Sequence, residues 1–121
     1  MCNSLPVDFE KFKLETNLED TQIKELYSGF LEELIGEKDK LLAQLDQSSY
    51  EMMHKTVHNI KGISSSYMAG AVYSISVELG RTLSGNDRAE IVDAVNRLVQ
   101  AIMQVADEIY RFCGIEEHGH V

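Results

Sequence analysis

Apolar residues recur along the chain at steps of three and four, the spacing that lines one face of an α-helix. Ile23, Leu26, Tyr27, Phe30, Leu34, Leu41 and Leu45 form the first such stripe, in a helix expected to run to about Asp46. Thr16-Asn-Leu-Glu19 stands before it and fits a capping box, with Asp20 as the rival cap. Gly36 inside this helix costs roughly 1 kcal/mol relative to alanine, a loss that tertiary contacts offset.

A break at Asp46-Gln-Ser-Ser49 is followed by Ser48-Ser-Tyr-Glu51, a second capping-box match, so a second helix is expected to begin near Ser49. Tyr50, Met53, Val57, Ile60 and Ser64 form its inward stripe, and His54, His58, Lys61, Gly62 and Ser65 fall on a neighbouring, more polar face. Val72, Ile75, Leu79 and Leu83 mark a third helix. It stops at Ser84-Gly-Asn-Asp87, where Gly85 is expected to supply the left-handed conformation and Asp87 to cap the next helix, with Glu90 three residues on. From there Ile91, Val95, Leu98, Ile102, Val105, Ile109 and Phe112 alternate steps of four and three, the strongest periodic signal in the chain.

No segment shows the alternation or turn chemistry of paired strands. Four long helices with short connections imply an all-α fold, an antiparallel four-helix bundle over residues 16–113. Residues 1–15 carry Leu5, Val7, Phe9, Phe12 and Leu14 at irregular spacing and are expected to form a short extra helix or an arm over one end of the core. Residues 114–121 are expected to be a flexible tail.

At 121 residues the chain suits a single core, and its one proline, Pro6, leaves every predicted helix free of a missing amide. Eleven basic against twenty acidic residues give a net charge of -9, which repels nucleic acid and anionic membrane surfaces. Cys2 and Cys113 lie at opposite ends, outside any metal-ligand spacing. No apolar run approaches the ~20 residues that cross a bilayer, and the N-terminus lacks the pattern of a signal peptide, so a cytoplasmic protein is expected.

Against this background the stretch from His54 to Ala69 carries the chemistry. A neutral imidazole suits attack on phosphorus, because an unperturbed pKa near ~6.5 leaves a ring nitrogen unprotonated at physiological pH. Lys61, three residues after His58, falls on the same face, where it would offset the charge of a phosphoryl group. Gly62 is costly inside a helix, and its benefit beside an imidazole is clearance for another protein's active site.

His58-Asn-Ile-Lys-Gly62, followed by Ile63-Ser-Ser-Ser66, resembles the His-x-x-Lys-Gly signature of histidine-containing phosphotransfer domains, the shuttles of multistep phosphorelays. The similarity covers roughly residues 20–112. It implies that His58 is the phosphorylated residue, Lys61 the stabilising cation and Gly62 the clearance position. It also implies a domain without kinase activity, which takes a phosphoryl group from a receiver-domain aspartate or a hybrid sensor histidine kinase and passes it to a response-regulator receiver. Mg²⁺ would come from the receiver, with no cofactor of the domain's own. The family often has glycine ten residues after the histidine, where this chain has Met68, and no role is carried over to that position.

Docking of a receiver needs apolar area beside His58. Leu31, Ile35 and Leu42 lie off the main inward stripe and are expected to be partly exposed; Leu31 and Ile35, with Ser65, are the candidate partner contacts. An alternative reading is a helical interaction module that binds a receiver or kinase and never carries phosphate. Glu51-Met-Met-His54 has the spacing of one half of a di-iron site, but such sites need two copies plus further glutamates. His118-Gly-His120 supplies too few fixed ligands for a metal, and Ser64–Ser66 reads as packing or backbone capping. The last helix's stripe reads as core, which makes a monomer the expected state.

Overall fold

The computed structural model describes residues 7–114, and every regular element within them is helical. Five helices form: α1 (Phe9–Thr16), α2 (Asp20–Asp46), α3 (Tyr50–Ser66), α4 (Gly70–Gly85) and α5 (Arg88–Cys113). α2 packs against α3 and α5, and α4 packs against the same two, so the four longer helices enclose a shared core. Residues 1–6 of the expected arm, and the expected tail from 115 onward with His118 and His120, lie outside the described residues. No helix among the described residues is long and apolar enough to cross a membrane.

Local capping chemistry sets the boundaries, and at three of them the expected cap does not form. Thr16 is the last residue of α1 rather than the cap of α2: its hydroxyl donates to the Phe12 carbonyl at 2.8 Å, and Asn17 turns left-handed after it. Glu19 caps α2 instead, in a box closed by the Gln22 side chain accepting from the Glu19 amide at 3.0 Å. Asp20, the rival, pairs with Lys13 at 2.9 Å.

Ser49 precedes α3 without a side-chain capping bond. The turn is closed by backbone: Ser49 N–H donates to Gln44 and Ser48 N–H to Leu45, the paired bonds of a Schellman motif, with Ser48 at φ 55°. Arg88 then donates to the Ser48 hydroxyl at 3.0 Å and the Leu45 carbonyl at 2.9 Å. At the end of α4, Gly85 stays helical and Asn86, at φ 59°, takes the left-handed position that the sequence assigns to Gly85. Asp87 caps α5 through the Glu90 amide, as its spacing predicts.

The inward stripes meet as their spacing predicts. Ile23, Tyr27, Phe30, Leu34 and Leu41 of α2 are buried with Met53, Val57 and Ile60 of α3 and Leu79 and Leu83 of α4. Ile91 through Ile109 supply the stripe of α5. Each fully buried aliphatic side chain contributes about 1.5–3 kcal/mol. Leu26 is the exception at 39% exposure, because Tyr27 takes the inward position beside it.

α1 covers one end of this core through its aromatic residues. Phe9 stacks on Phe112 with ring centroids 4.0 Å apart, Phe12 stacks on Tyr67 at 5.5 Å, and Tyr27 meets both edge-on. Val7 is fully buried, and the Asp8 amide donates to the Met68 carbonyl at 3.1 Å. The same turn between α3 and α4 is a second Schellman motif, with Ala69 N–H bonded to Ser64, Met68 N–H to Ser65, and Met68 itself at φ 59°.

Candidate functional site

α3 presents the candidate residues because its apolar stripe fixes its rotation. With Met53, Val57, Ile60 and Ser64 buried, His58 is turned to solvent. The His58 ring makes no hydrogen bond and no ion pair among the described residues, so both its nitrogens are open to a reactant. Lys61 follows one turn later, about 4.5 Å further along the axis. The residue is half-buried, and its ammonium has no ion-pair partner among the described residues.

Gly62 is exposed, and a β-carbon built there would meet nothing within 4 Å. Close helix packing therefore does not require glycine at this position. What its missing side chain leaves is open surface next to His58.

Two depressions meet at His58. One, of about 320 Å³, lies on the α2 side and is walled by Glu33, His58, Asn59, Gly62, Ile63 and Tyr67. The other, of about 350 Å³, runs between α3 and α4, where His54, His58 and Lys61 face Gly80, Arg81 and Ser84. His54, on the polar face expected from the spacing, shares the groove with His58 one turn away. Ser76, fully buried, belongs to the same wall, and its hydroxyl has no hydrogen-bond partner.

The expected docking residues divide. Leu31 is only 7% exposed and belongs to the core, which corrects the expectation of a partly exposed contact. The cause is that α2 packs against both α3 and α5, so its buried face is wider than a single stripe and takes in Leu31 beside Phe30. Ile35 is half-buried against the core, while Leu42 keeps 38% of its surface. Ser65 is exposed but two turns from His58; it lines a separate hollow with Asp8, Lys11 and Met68.

Sequence reading missed Arg81, Ser84 and Glu33. Each stands on a helix other than α3, and which residues of α4 and α2 face His58 depends on how the helices mesh, which no spacing within one helix reports. The nearest signal was Gly80-Arg81, a gap followed by a cation in a helix otherwise rich in apolar residues. Among the described residues no group of three or more histidine, cysteine or acidic side chains is arranged to hold a metal ion. Comparison with protein-family models, with curated proteins and with solved structures found no match to this chain.

Proposed function

We propose that the protein is a phosphorelay intermediate: His58 accepts a phosphoryl group from a receiver-domain aspartate or a hybrid sensor histidine kinase and passes it to the aspartate of a response-regulator receiver. In this reading the four longer helices form the antiparallel bundle of a histidine-containing phosphotransfer domain, with α1 as an N-terminal addition. The observation that carries the reading is an exposed, unpartnered His58 with the unpaired cation of Lys61 one turn on. The open surface at Gly62 supports it.

The chemistry asks little of the domain itself. A ring nitrogen of neutral His58 attacks phosphorus in the aspartyl phosphate, the P–N bond forms, and the P–O bond to the aspartate breaks, its electron pair returning to the carboxylate. The domain contributes a positioned nucleophile and a nearby positive charge; Mg²⁺ belongs to the receiver. It is a cytoplasmic carrier without kinase activity, and its partners are other proteins rather than nucleic acid or membrane.

The test is transfer from a phosphorylated receiver domain, read as acid-labile, base-stable label on this chain. Wild type should take up label and His58→Gln should not. Label that persists in His58→Gln moves the site elsewhere. Binding of the receiver with no label on wild type would instead make the protein an interaction module.

A further inference from the structure

The two depressions that meet at His58 differ in charge. The α2-side depression has an acidic residue, Glu33, in its wall. The α3/α4 groove has two permanent cations, Lys61 and Arg81, two imidazoles, His54 and His58, and no carboxylate. In a chain with twenty acidic and eleven basic residues, that composition runs against the overall charge.

Both cations are available. Neither Lys61 nor Arg81 has an ion-pair partner among the described residues, and for Arg81 the reason is visible. Glu78, three residues back on α4, stands at ion-pairing distance in sequence. Its carboxylate instead accepts from Arg97 of α5 at 2.8 Å, and Arg97 holds Asp93 as well at 3.4 Å. Gly80, beside Arg81 in the groove wall, contributes no side chain, and a β-carbon there would meet nothing within 4 Å. The groove is thus left open and positive.

We propose that this groove holds the phosphoryl group carried by His58, and that Arg81 is a second phosphate-binding cation acting with Lys61 from the facing helix. The inference rests on the phosphohistidine reading above. A phosphoryl group brings roughly two negative charges at neutral pH. Turned toward α2 it meets Glu33; turned toward α4 it lies between two cations. The Lys61 ammonium acts as a point charge, whereas the planar fork of Arg81 is able to take two phosphoryl oxygens at once. Charge held there stabilises phosphohistidine against both back-transfer and attack by water.

Phosphoramidate tests this without a docked partner. Its P–N bond breaks with loss of ammonia as His58 takes the phosphoryl group, and ³¹P NMR with mass spectrometry locates and follows the product on the full chain. Arg81→Gln should shorten the phosphohistidine half-life by about three- to tenfold, a modest effect for a charge-assisted bond at an exposed site. Glu33→Gln should leave the half-life unchanged or lengthen it. Arg81 and Glu33 are exposed, and an unaltered thermal unfolding curve for each variant establishes that the fold is kept. A phosphorylated wild type whose half-life is matched by Arg81→Gln, or shortened more by Glu33→Gln than by Arg81→Gln, overturns the groove assignment alone. A wild type that takes no phosphoryl group from phosphoramidate or from a receiver overturns the phosphohistidine reading on which it rests.

Discussion

The hydroxyl of Tyr27, two turns into α2, donates to the backbone carbonyl of Tyr67 at 2.6 Å, tying the long first helix of the core to the turn that ends α3. Tyr27 is fully buried and its ring touches Phe9, Phe12, Phe30, Tyr67 and Phe112, so one side chain joins α1, α2, the α3–α4 turn and the end of α5.

Tyr27→Phe keeps the ring contacts and removes the bond, leaving the Tyr67 carbonyl without that donor. A loss of about 1–2 kcal/mol is expected in urea unfolding. Burial also pushes the Tyr27 phenol well above the usual phenol range, with Tyr67 and Asp8 adding to the shift. A raised folded-state pKa gives stability that is fully present below the unfolded pKa and is lost as pH rises above it. Between roughly pH 9 and 11, wild type should therefore lose more stability than Tyr27→Phe. Parallel curves for the two proteins would remove the phenol as the cause.

Met68, in the turn between α3 and α4, adopts a left-handed backbone at φ 59°. A side chain there costs about 1 kcal/mol through contact of its β-carbon with the following carbonyl. Met68 meets part of that cost by packing against the core. Replacing it by either Gly or Ala removes the packed side chain, so comparing the two isolates the backbone. Met68→Gly should be more stable than Met68→Ala by about 1 kcal/mol, the reverse of their order inside a helix. Equal stabilities in thermal unfolding would mean the turn is not left-handed in solution.

How much of this was legible in the sequence depended on whether the cause was local. The stripes of α2 to α5 were readable because helical spacing and burial are tied by geometry, and Asp87 was readable because its carboxylate reaches an amide three residues away. Thr16 misled because capping is a competition: α1 runs through it, and a glutamate that is an uncommon cap took the position. Leu31 misled because a helix with two neighbours buries more than one stripe. His58, Lys61 and Gly62 were legible as one face of one helix. Arg81 was not, since it reaches the groove only through the way α4 meets α3.

Lys61 is half-buried, lines the same groove as His58 and has no ion pair among the described residues, so its charge is not committed to a carboxylate. Lys61→Ala is expected to leave the unfolding midpoint within about 0.5 kcal/mol of wild type, as for substitutions away from buried features. Transfer from a phosphorylated receiver to His58 should slow by about tenfold, the effect of removing one charge-assisted hydrogen bond. A rate equal to wild type in rapid-quench measurements would make Lys61 a solvated surface charge.

Substitutions at Gly62 separate an effect on stability from an effect on transfer. Because a β-carbon there meets nothing within 4 Å, Gly62→Ala should remove the entropic cost of glycine in mid-helix and stabilise the protein by about 0.5–1 kcal/mol. Gly62→Gln should be stabilised by a similar amount, since glutamine is also a good helix former. Its side chain, however, would cover the surface beside His58 and obstruct an approaching receiver. Both variants should accept a phosphoryl group from phosphoramidate, which is small enough to reach His58 past the new side chain. With a receiver as donor, Gly62→Ala should be little changed and Gly62→Gln slowed at least tenfold, with most of the change in the apparent affinity for the receiver. If receiver-dependent transfer is as fast in Gly62→Gln as in wild type, clearance is not what Gly62 provides. If both variants unfold more easily than wild type, the site is closer packed than the structure has it.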